Sequence, residues 1–417
     1  MAAELLRATM PFRRLLALAA RNVVRNTARS ALSLAAIATG VAGLILSGGF
    51  VNDLIFQLGE SVIHSQSGHV QVGRSGYFAS GSRSPGRYLI APQDAAKLEI
   101  GKLPHVTASM QRVAFSGLAS NGRSSYPIVG EGIEAQAEAQ LGTSLVIAEG
   151  RALNAGDRYG ALVGAGVARA MGLKVGSPFN IVAPTVDEAM NTLEFEIVGT
   201  FQSFSKDYDD RVIKLPLAAA QELLDTEAAN VIVLLLDETR HTATVAQLLS
   251  AKAQPLGLEV RTWDWLNDFY WKAVALYDRQ FGVLRLIVLL MVILAVVGAI
   301  NMAVFERAGE FGTMRALGNR SGDVLRLVLT EGALMGVVGA LLGVALGWGA
   351  AWGLSEVGIP MPPPPNSNLE YVARIRLSPD VIAIAAVIGI AATLLASVLP
   401  AFRVSRLPIV EGLRRLA

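Results

Sequence analysis

Residues Phe281–Arg326 read FGVLRLIVLLMVILAVVGAINMAVF followed by ERAGEFGTMRALGNRSGDVLR, and this change from apolar to charged sequence decides the fold. A helix needs about 20 consecutive apolar residues to cross the hydrocarbon core of a bilayer, and the first part, 281–305, meets that length. The second part, 306–326, carries acids, bases and glycines and is followed by another apolar run. The pattern predicts a short segment held at a membrane face, where it can contact another protein.

Three more apolar runs predict an α-helical membrane protein with four transmembrane helices. The mean hydropathy of +0.45, with 52% hydrophobic and 17% charged residues, is typical of such a protein with a sizeable aqueous part. Arg285 and Glu331 lie near the ends of their runs, where long side chains reach the headgroups or a protein partner. The predicted transmembrane helices are 30–52, 281–305, 327–354 and 380–402.

The arginines predict the orientation of the chain. Residues 1–29, 306–326 and 403–417 are each rich in arginine, and such segments stay in the cytoplasm. Both termini and the short loop are therefore predicted to be cytoplasmic, whereas the insert 53–280 and the connector 355–379 lie outside. The net charge of +2 is a sum of unlike parts, and nothing in it indicates a nucleic-acid partner.

The segment 1–29 has an amphipathic pattern. Apolar residues from Phe12 to Val24 recur at helical spacing, and arginines occupy another face. This predicts a helix that lies in the cytoplasmic membrane interface. The alternative interpretation is an ordinary basic flank of a retained signal anchor.

The insert 53–280 predicts a mixed α+β extracytoplasmic domain between the first and second transmembrane helices. Its ends show helical spacing, so the spans can continue as a stalk, and the stretch 73–85, rich in Gly, Ser and Arg, predicts a mobile loop. Cysteine is absent, which is compatible with a bacterial periplasm. The β-like runs are 69–72, 126–130, 179–182, 193–199 and 230–236, and the helical segments are 164–171 and 217–224.

No motif predicts an enzyme. The sequence has no G-x-x-x-x-G-K-[ST] phosphate loop, no G-x-S-x-G elbow and no H-E-x-x-H pair, so no catalytic residue or cofactor site is expected in this chain. His64 and His69 lack the accompanying ligands of known zinc patterns, and no metal site is expected. The middles of the four apolar runs hold no ionisable residue, which argues against an ion-coupled carrier.

The charged segment has the composition of a docking helix. Glu306, Arg307 and Glu310 share one face and can pair with charges on a partner. Arg315 extends that surface, and Gly318 supplies a helix stop. Three further side chains can enter an apolar pocket of the partner: Phe311, Met314 and Leu317. The alternative, a solvated connector, explains the arginines but leaves the acids and the apolar positions unexplained.

Glycines in the third span form a second pattern. Gly339, Gly343 and Gly347 recur every four residues and so share one helix face. Such a face permits close helix packing. It supports a dimer only weakly, because glycine is common in membrane helices.

Three segments carry a resemblance to a known family. Glu306–Gly318 is similar to the pattern ER-x-x-E-[IF]-G-x-[LM]-R-A-[LI]-G of FtsX-like permeases, a group that includes the MacB exporters and the lipoprotein-releasing LolC and LolE subunits. Thr330–Gly332 resembles the acidic step that opens the third span in that family, and Pro400–Arg414 resembles its C-terminal pattern. Stretches of the insert agree with the family as well, at 161–164, 172–176, 195–201 and 215–221, so the likeness extends over nearly the whole chain.

The resemblance implies a transmembrane subunit of an ABC transporter in the bacterial inner membrane. Such subunits work as dimers, with a second copy or a related permease, and with cytoplasmic ATPase subunits that bind ATP and Mg. The segment from about Arg307 to Gly318 would be the coupling helix that sits in a groove of the ATPase. MacB proteins carry an N-terminal ATPase, so the layout here is more similar to LolC and LolE, with the ATPase expected in a separate chain.

Two functions of different kinds follow from this resemblance. The first is release or export of lipoprotein or another lipid-linked substrate, with membrane lipid or a lipoprotein carrier as partner. The second is transmembrane signalling that activates a periplasmic hydrolase, as in FtsX. An export pump with a periplasmic adaptor lies between them. The substrate, and the choice between homodimer and heterodimer, stay open, and the proline-rich stretch 361–365 predicts a stiff external connector of unassigned role.

Overall fold

The computed structural model describes residues 12–25, 27–81, 85–141, 145–203, 205–362 and 370–406. The predicted features at 1–11, at 363–365 and at 407–417 lie outside these residues. The described chain forms two compact units. The helical unit takes its residues from Met1–Ile55, Val274–Ile359 and Val372–Ala417, and the α/β unit takes its residues from Phe56–Ala273 and Pro360–Tyr371.

The helices and strands follow one another in an order that begins and ends with helices. The first part of the chain contains α1 (Phe12–Arg25), α2 (Thr27–Val62), β1 (Val70–Arg74), α3 (Tyr77–Ser80), α4 (Pro92–Lys97), β2 (Val106–Ser120), β3 (Ser125–Ile133), α5 (Ala135–Leu141), β4 (Val146–Gly150), β5 (Gly160–Gly164), α6 (Ala165–Met171), β6 (Pro178–Pro184) and β7 (Met190–Gln202). The second part contains α7 (Lys206–Asp209), β8 (Val212–Pro216), α8 (Leu217–Leu224), β9 (Val231–Leu236), α9 (Thr242–Ala253), β10 (Leu258–Thr262), α10 (Trp263–Leu266), α11 (Asp268–Glu306), α12 (Ala308–Ala316), α13 (Ser321–Val357), β11 (Ile359–Met361), β12 (Tyr371–Ala373) and α14 (Pro379–Ser405).

Four helices, α2, α11, α13 and α14, are long and apolar enough to cross a membrane. Each continues past the span expected from the apolar run. In α2 and α11 the flanking sequence keeps the helical spacing of apolar residues, so no signal ends the helix at the edge of the apolar run. In α13 the extra turn begins where the backbone N–H of Arg320 donates to Asp323 at 3.0 Å and caps the helix. The chain is therefore an integral membrane protein.

A ten-stranded mixed sheet forms the α/β unit. Its order is β10-β1-β9-β2-β3-β8-β5-β7-β4, with β6 paired to both β2 and β7. The pairs β3–β8 and β5–β7 are parallel. The sheet has two halves, and the long strand β2 belongs to both of them. Its first part pairs with β9, and its second part pairs with β3 and β6. The pairings β2–β3–β8–β5–β7–β6–β2 close on themselves, so one half is a small barrel.

Each half of the α/β unit has its own apolar core. The barrel is filled by Phe115, Phe179 and Phe195 among others, and the open half by Val70 and Leu234 under α9. Five strands of the ten-stranded sheet, β2, β4, β5, β8 and β10, were not predicted from the sequence. All of β5 and nearly all of β8 are buried, so they lack the alternation that marks a half-exposed strand.

The predicted mobile loop at 73–85 is wrong over most of its length. Strand β1 runs to Arg74, and Tyr77–Ser80 forms the short helix α3. Gly76 allows the turn between them because it adopts φ +90°, a left-handed conformation that glycine takes without strain. Tyr77 and Phe78 then pack against a buried apolar cluster, which holds the segment in place.

An ionic network is buried inside the α/β unit. The Glu138 carboxylate accepts three hydrogen bonds from Arg112, at 2.8–3.1 Å, and one from Lys214 at 2.6 Å. All three side chains are nearly inaccessible to solvent, with Lys214 only 1% exposed. Burial alone would raise the pKa of Glu138, but the two cations lower it to about 2. The carboxylate is therefore ionised at neutral pH.

Candidate coupling site

Helix α12 lies at the turn between α11 and α13. Helix α11 ends at Glu306, and one residue, Arg307, leaves helical geometry before α12 begins. The backbone stays continuous across this break, because Arg307 N–H donates to Ala303 and Phe311 N–H donates to Arg307. The charged segment therefore forms a short helix of its own, joined directly to the end of a membrane helix.

Arg307 holds this junction together. Its Nη1 donates to both oxygens of Glu331, at 3.1 and 2.9 Å, and its Nε donates to Glu310 at 3.0 Å. The guanidinium also lies 5.1 Å from the ring centroid of Phe311. Arg307 is only 8% exposed. Burial would lower its pKa, but the two carboxylates raise it, so the residue stays charged. Arg307 thus fixes α12 against the N-terminal part of α13.

Helix α1 joins the same network. Asn22 donates to Glu331 at 2.6 Å, and Arg25 forms an ion pair with Glu310. Burial would raise the pKa of Glu310, but hydrogen bonds from Arg307 and Arg25 lower it. The N-terminal helix, α12 and α13 are therefore connected through two carboxylates, and a displacement of one helix must break bonds to the others.

Two of the predicted contacts with a partner protein are corrected by this geometry. Phe311 was expected to enter an apolar pocket of a partner, but it is 3% exposed and packs in the core of the helical unit with Val304 and Val324. Arg307 was expected to pair with charges on a partner, but it pairs within the chain. A buried arginine needs an internal counter-charge, because removing it from water without one is costly. These residues position α12.

The side of α12 that remains accessible carries the other predicted residues. Leu317 is 80% exposed, Glu306 and Glu310 are exposed, and Met314 and Arg315 are half-buried. This surface is the part of the site available to another protein.

The predicted helix stop has a defined geometry. Gly318 adopts φ +100°, and its N–H donates to the carbonyl of Arg315, while Asn319 N–H donates to the carbonyl of Met314. These two bonds form a Schellman motif, which satisfies carbonyls at the end of α12. Leu317 lies at the C-cap next to the turn and is held at the tip of the loop.

Comparison with known proteins identifies the family. Residues 30–252 match the MacB-like periplasmic core domain, and residues 282–409 match the FtsX-like permease C-terminal domain. The chain belongs to the MacB-type family of FtsX-like permeases. Members of this family partner with ABC ATPase subunits.

The permease is similar to several curated proteins. It is 25% identical to the lipoprotein-releasing system transmembrane protein LolC of Neisseria meningitidis, over 61% of this chain and 64% of LolC. It is 25% identical to LolE of Haemophilus influenzae, over 58% of this chain and 60% of LolE. It is 29% identical to the macrolide export ATP-binding/permease protein MacB of Rhodospirillum rubrum, over 42% of this chain and 29% of MacB. The chain thus spans about three fifths of the LolC and LolE relatives.

A solved structure also resembles part of the permease. The periplasmic region of MacB from Actinobacillus actinomycetemcomitans superposes with a TM-score of 0.37 and 13% identity. The superposition covers 49% of this chain and 92% of that chain.

Sequence reasoning missed two members of the network in this permease. Asn22 continues the buried stripe of α1 that contains Leu15 and Ala19, at i, i+4 and i+7, and a polar residue on such a stripe is a signal that it has a buried partner. The helical spacing places Arg25 on the arginine-rich face of α1 and does not predict its pair with Glu310. Glu331 had been noticed as an acid near a membrane interface, but its partners come from helices distant in sequence.

The glycine face of the permease packs within the chain. A Cβ on Gly339 would lie 2.7 Å from Ile37, and one on Gly343 would lie 2.6 Å from Val41 and 2.8 Å from the Ala38 carbonyl. Gly347 meets the same helix, α2. These glycines let α13 and α2 approach closely, so this face is already covered.

Replacing Gly343 by alanine is expected to destabilise the helical unit by about 1–3 kcal/mol, because its Cβ meets the backbone of α2. Gly349 on the same helix has open space around it, so Gly349→Ala is the matched control and is expected to stabilise the helix by about 0.5–1 kcal/mol. Unfolding in mixed micelles with increasing SDS measures both. Equal effects of the two changes would contradict the close α2–α13 packing.

Proposed function

We propose that this chain is the transmembrane subunit of an ATP-driven ABC transporter and that α12 is its coupling helix. One observation carries the proposal: α12 is anchored through Arg307 to α13 while Leu317, a large apolar side chain, is 80% exposed at the tip of the loop. An exposed apolar side chain on a rigid, charged helix is a surface that a partner protein can cover. The chain itself contributes no phosphate loop, so ATP and Mg are assigned to the partner ATPase.

The ATPase partner can be tested with a pair of substitutions at opposite ends of α13. Leu317→Asp changes the exposed tip just before this helix, and Val357→Asp changes an 86% exposed residue at its other end. The chain is purified in mild detergent, and copurifying P-loop ATPase and ATP hydrolysis are measured. We expect Leu317→Asp to lose at least nine tenths of the ATPase and Val357→Asp to retain it. Retention of the ATPase by both variants would refute the assignment of α12.

We further propose that the chain lies in the bacterial inner membrane, with both termini and α12 in the cytoplasm and the α/β unit in the periplasm. The arginine-rich segments support this orientation. The natural chain has no cysteine, so single cysteines report on it without background. In intact cells a membrane-impermeant thiol reagent is expected to label a cysteine at Arg123, in an exposed turn of the α/β unit, and not one at Leu317. The reverse pattern would overturn the orientation.

The substrate that we propose is a lipoprotein or another lipid-linked molecule. The similarity to LolC and LolE, whose names describe lipoprotein release, covers more of this chain than the similarity to MacB does. The four spans contain no ionisable residue in their middles, which suits a route along the membrane better than a polar channel. In this proposal a second permease, identical or related, completes the transporter, and ATPase motion is relayed to the periplasmic domain.

Two alternative roles, signalling and export, would require partners different from those of lipoprotein release. An FtsX-like signalling subunit would bind a periplasmic hydrolase, and a MacB-like pump would bind a periplasmic adaptor. Lipid and protein analysis of the copurified complex, before and after ATP addition, distinguishes them. ATP-dependent loss of bound acylated protein supports the lipoprotein role, whereas a stable hydrolase or adaptor without acylated cargo would replace it.

A further inference from the structure

Three side chains that play no part in coupling converge in the α/β unit. Nδ1 of His105 is 2.9 Å from Oδ2 of Asp237, and Nδ1 of His241 is 2.7 Å from Oδ1 of the same carboxylate. The two imidazole rings are stacked with centroids 3.7 Å apart. One potential ligand atom from each of the three residues lies within 4.8 Å of the others. Two imidazoles and one carboxylate therefore share a space of the size of a metal coordination sphere.

The backbone holds these residues together independently of any ligand. His105 precedes β2 and Asp237 follows β9, and the two strands pair with Val106 opposite Leu236. The N–H of Asp237 donates to the carbonyl of His105 at 3.0 Å, which extends this pairing to the two ligating residues.

His241 contacts the Asp237 carboxylate from the turn that directly follows Asp237 in the chain. It ends the 3-10 turn Thr239–His241, four residues beyond Asp237, and its N–H donates to the carbonyl of Glu238 at 3.1 Å. His105 adopts φ +67°, a conformation uncommon outside glycine. Because the fold sets the backbone positions of all three residues, only their side chains have to reorient when an ion binds.

We propose that His105, Asp237 and His241 bind a divalent transition-metal ion, for which Zn²⁺ is the best chemical match. Two imidazole nitrogens and one carboxylate oxygen are a donor set found where zinc has three protein ligands. The side chains of His105 and Asp237 are 40% and 43% exposed, so the ion keeps a position open to solvent. Such an ion would join the start of β2, the end of β9 and the start of α9.

Metal binding changes the tautomers of His105 and His241 but leaves both imidazoles neutral. A carboxylate can only accept, so each Nδ1–H now donates to Asp237. When the ion binds, each imidazole takes the other neutral tautomer, with its proton on Nε2, and the freed Nδ1 lone pair becomes a ligand. The rings must rotate out of their stacked arrangement, and their exposure leaves room for this movement.

The test uses the full chain in detergent, purified without a histidine tag and freed of metal with EDTA. ZnCl₂ is titrated calorimetrically, and Co²⁺ is used as a visible-absorption probe of the coordination geometry. The variants are His105→Asn, chosen because asparagine tolerates a positive φ, and His241→Ala. The matched control is His64→Ala, which removes a histidine of the same unit outside the cluster.

The wild-type chain is expected to bind one Zn²⁺ per chain, to unfold at a higher temperature with Zn²⁺ bound, and to give the visible bands of bound Co²⁺. His105→Asn and His241→Ala are each expected to weaken binding at least tenfold, and the double variant to abolish it, while His64→Ala binds as wild type. Circular dichroism checks that each variant is folded. The proposal is overturned if the folded double variant binds Zn²⁺ as tightly as wild type, or if wild type shows no saturable binding.

Discussion

Arg307→Met is expected to lower the free energy of unfolding of the helical unit by about 3–5 kcal/mol, the cost of removing one partner of a buried ion pair. The side chain of Arg307 is 10% exposed and that of Glu331 is 12% exposed, so neither charge is screened well by water. Without the guanidinium, Glu331 keeps the hydrogen bond from Asn22 as its one remaining side-chain partner among the described residues. Unfolding in mixed SDS micelles, followed by tryptophan fluorescence, measures the change.

A double-mutant cycle separates this ion pair from simple loss of packing. Glu331→Gln alone leaves Arg307 buried with Glu310 as its one counter-charge in the part of the chain that the structure describes, and is also destabilising. The double variant Arg307→Met/Glu331→Gln removes both charges, and we expect it to be more stable than the sum of the two single changes predicts. Additive effects would mean that the two side chains do not interact, contrary to the bidentate geometry.

Arg25→Ala is the matched control for Arg307. Arg25 also pairs with Glu310, but its side chain is 57% exposed and that of Glu310 is 42% exposed. Exposed pairs contribute about 0–1 kcal/mol, so the expected change is small. The two arginines should therefore differ strongly in stability although both contact the same carboxylate.

In the proposed transporter, Arg307→Met should also affect coupling. The junction before α12 loses its ion pair to α13 and keeps apolar packing such as that of Phe311, so force from a bound ATPase is passed less effectively to the spans. We expect the ATPase to remain bound through the surface around Leu317, while stimulation of ATP hydrolysis by substrate is reduced. Loss of binding together with coupling would instead show that Arg307 shapes the docking surface itself.

Glu138→Gln is expected to destabilise the α/β unit by at least about 3 kcal/mol, because Arg112 and Lys214 would remain buried with reduced compensation. The amide keeps the shape of the side chain but carries no charge. The control is Glu99→Gln, which alters an exposed pair with Lys102 and is expected to leave the unfolding temperature unchanged. Thermal unfolding followed by circular dichroism compares the two variants.

The same carboxylate predicts a dependence on pH. The pKa of Glu138 falls from 4.5 to about 2 on folding, so the unfolded chain binds its proton at higher pH than the folded chain does. The stabilisation is therefore complete above pH 4.5 and is lost as the pH falls from 4.5 towards 2. Glu138→Gln should reduce the slope of stability against pH within this window. An unchanged slope in the variant would show that Glu138 is not the group responsible.

Part of the coupling site was readable from the sequence. The helical spacing of the charged residues after the second span predicted a helix, and Gly318 predicted its end, because both depend on neighbours in the chain. The sequence did not predict the burial of Arg307 and Phe311, because an arginine and a phenylalanine can equally contact a partner protein or pack inside their own chain. Only the position of Glu331 on α13 decides between them.

The α/β unit shows the same division. Strands β1, β3, β6, β7 and β9 were predicted from β-like runs with adjacent turns, whereas the buried strands β5 and β8 carry no alternating pattern. Their pairing joins residues far apart in the chain, including the parallel pair β3–β8. The register between such distant strands is not encoded in local sequence patterns. Neither the barrel nor the proximity of His105 to Asp237 could therefore be predicted.

The sequence by itself determined the four apolar helices, the short helix between α11 and α13, and membership of a family whose motifs are local. Only the tertiary structure decided that Arg307 is a buried anchor, that Leu317 is the exposed tip, and that the glycine face is covered by α2. The physical reason is the range of the forces. Helix formation and membrane insertion depend on runs of neighbouring residues, whereas burial and ion pairing depend on which distant segments meet.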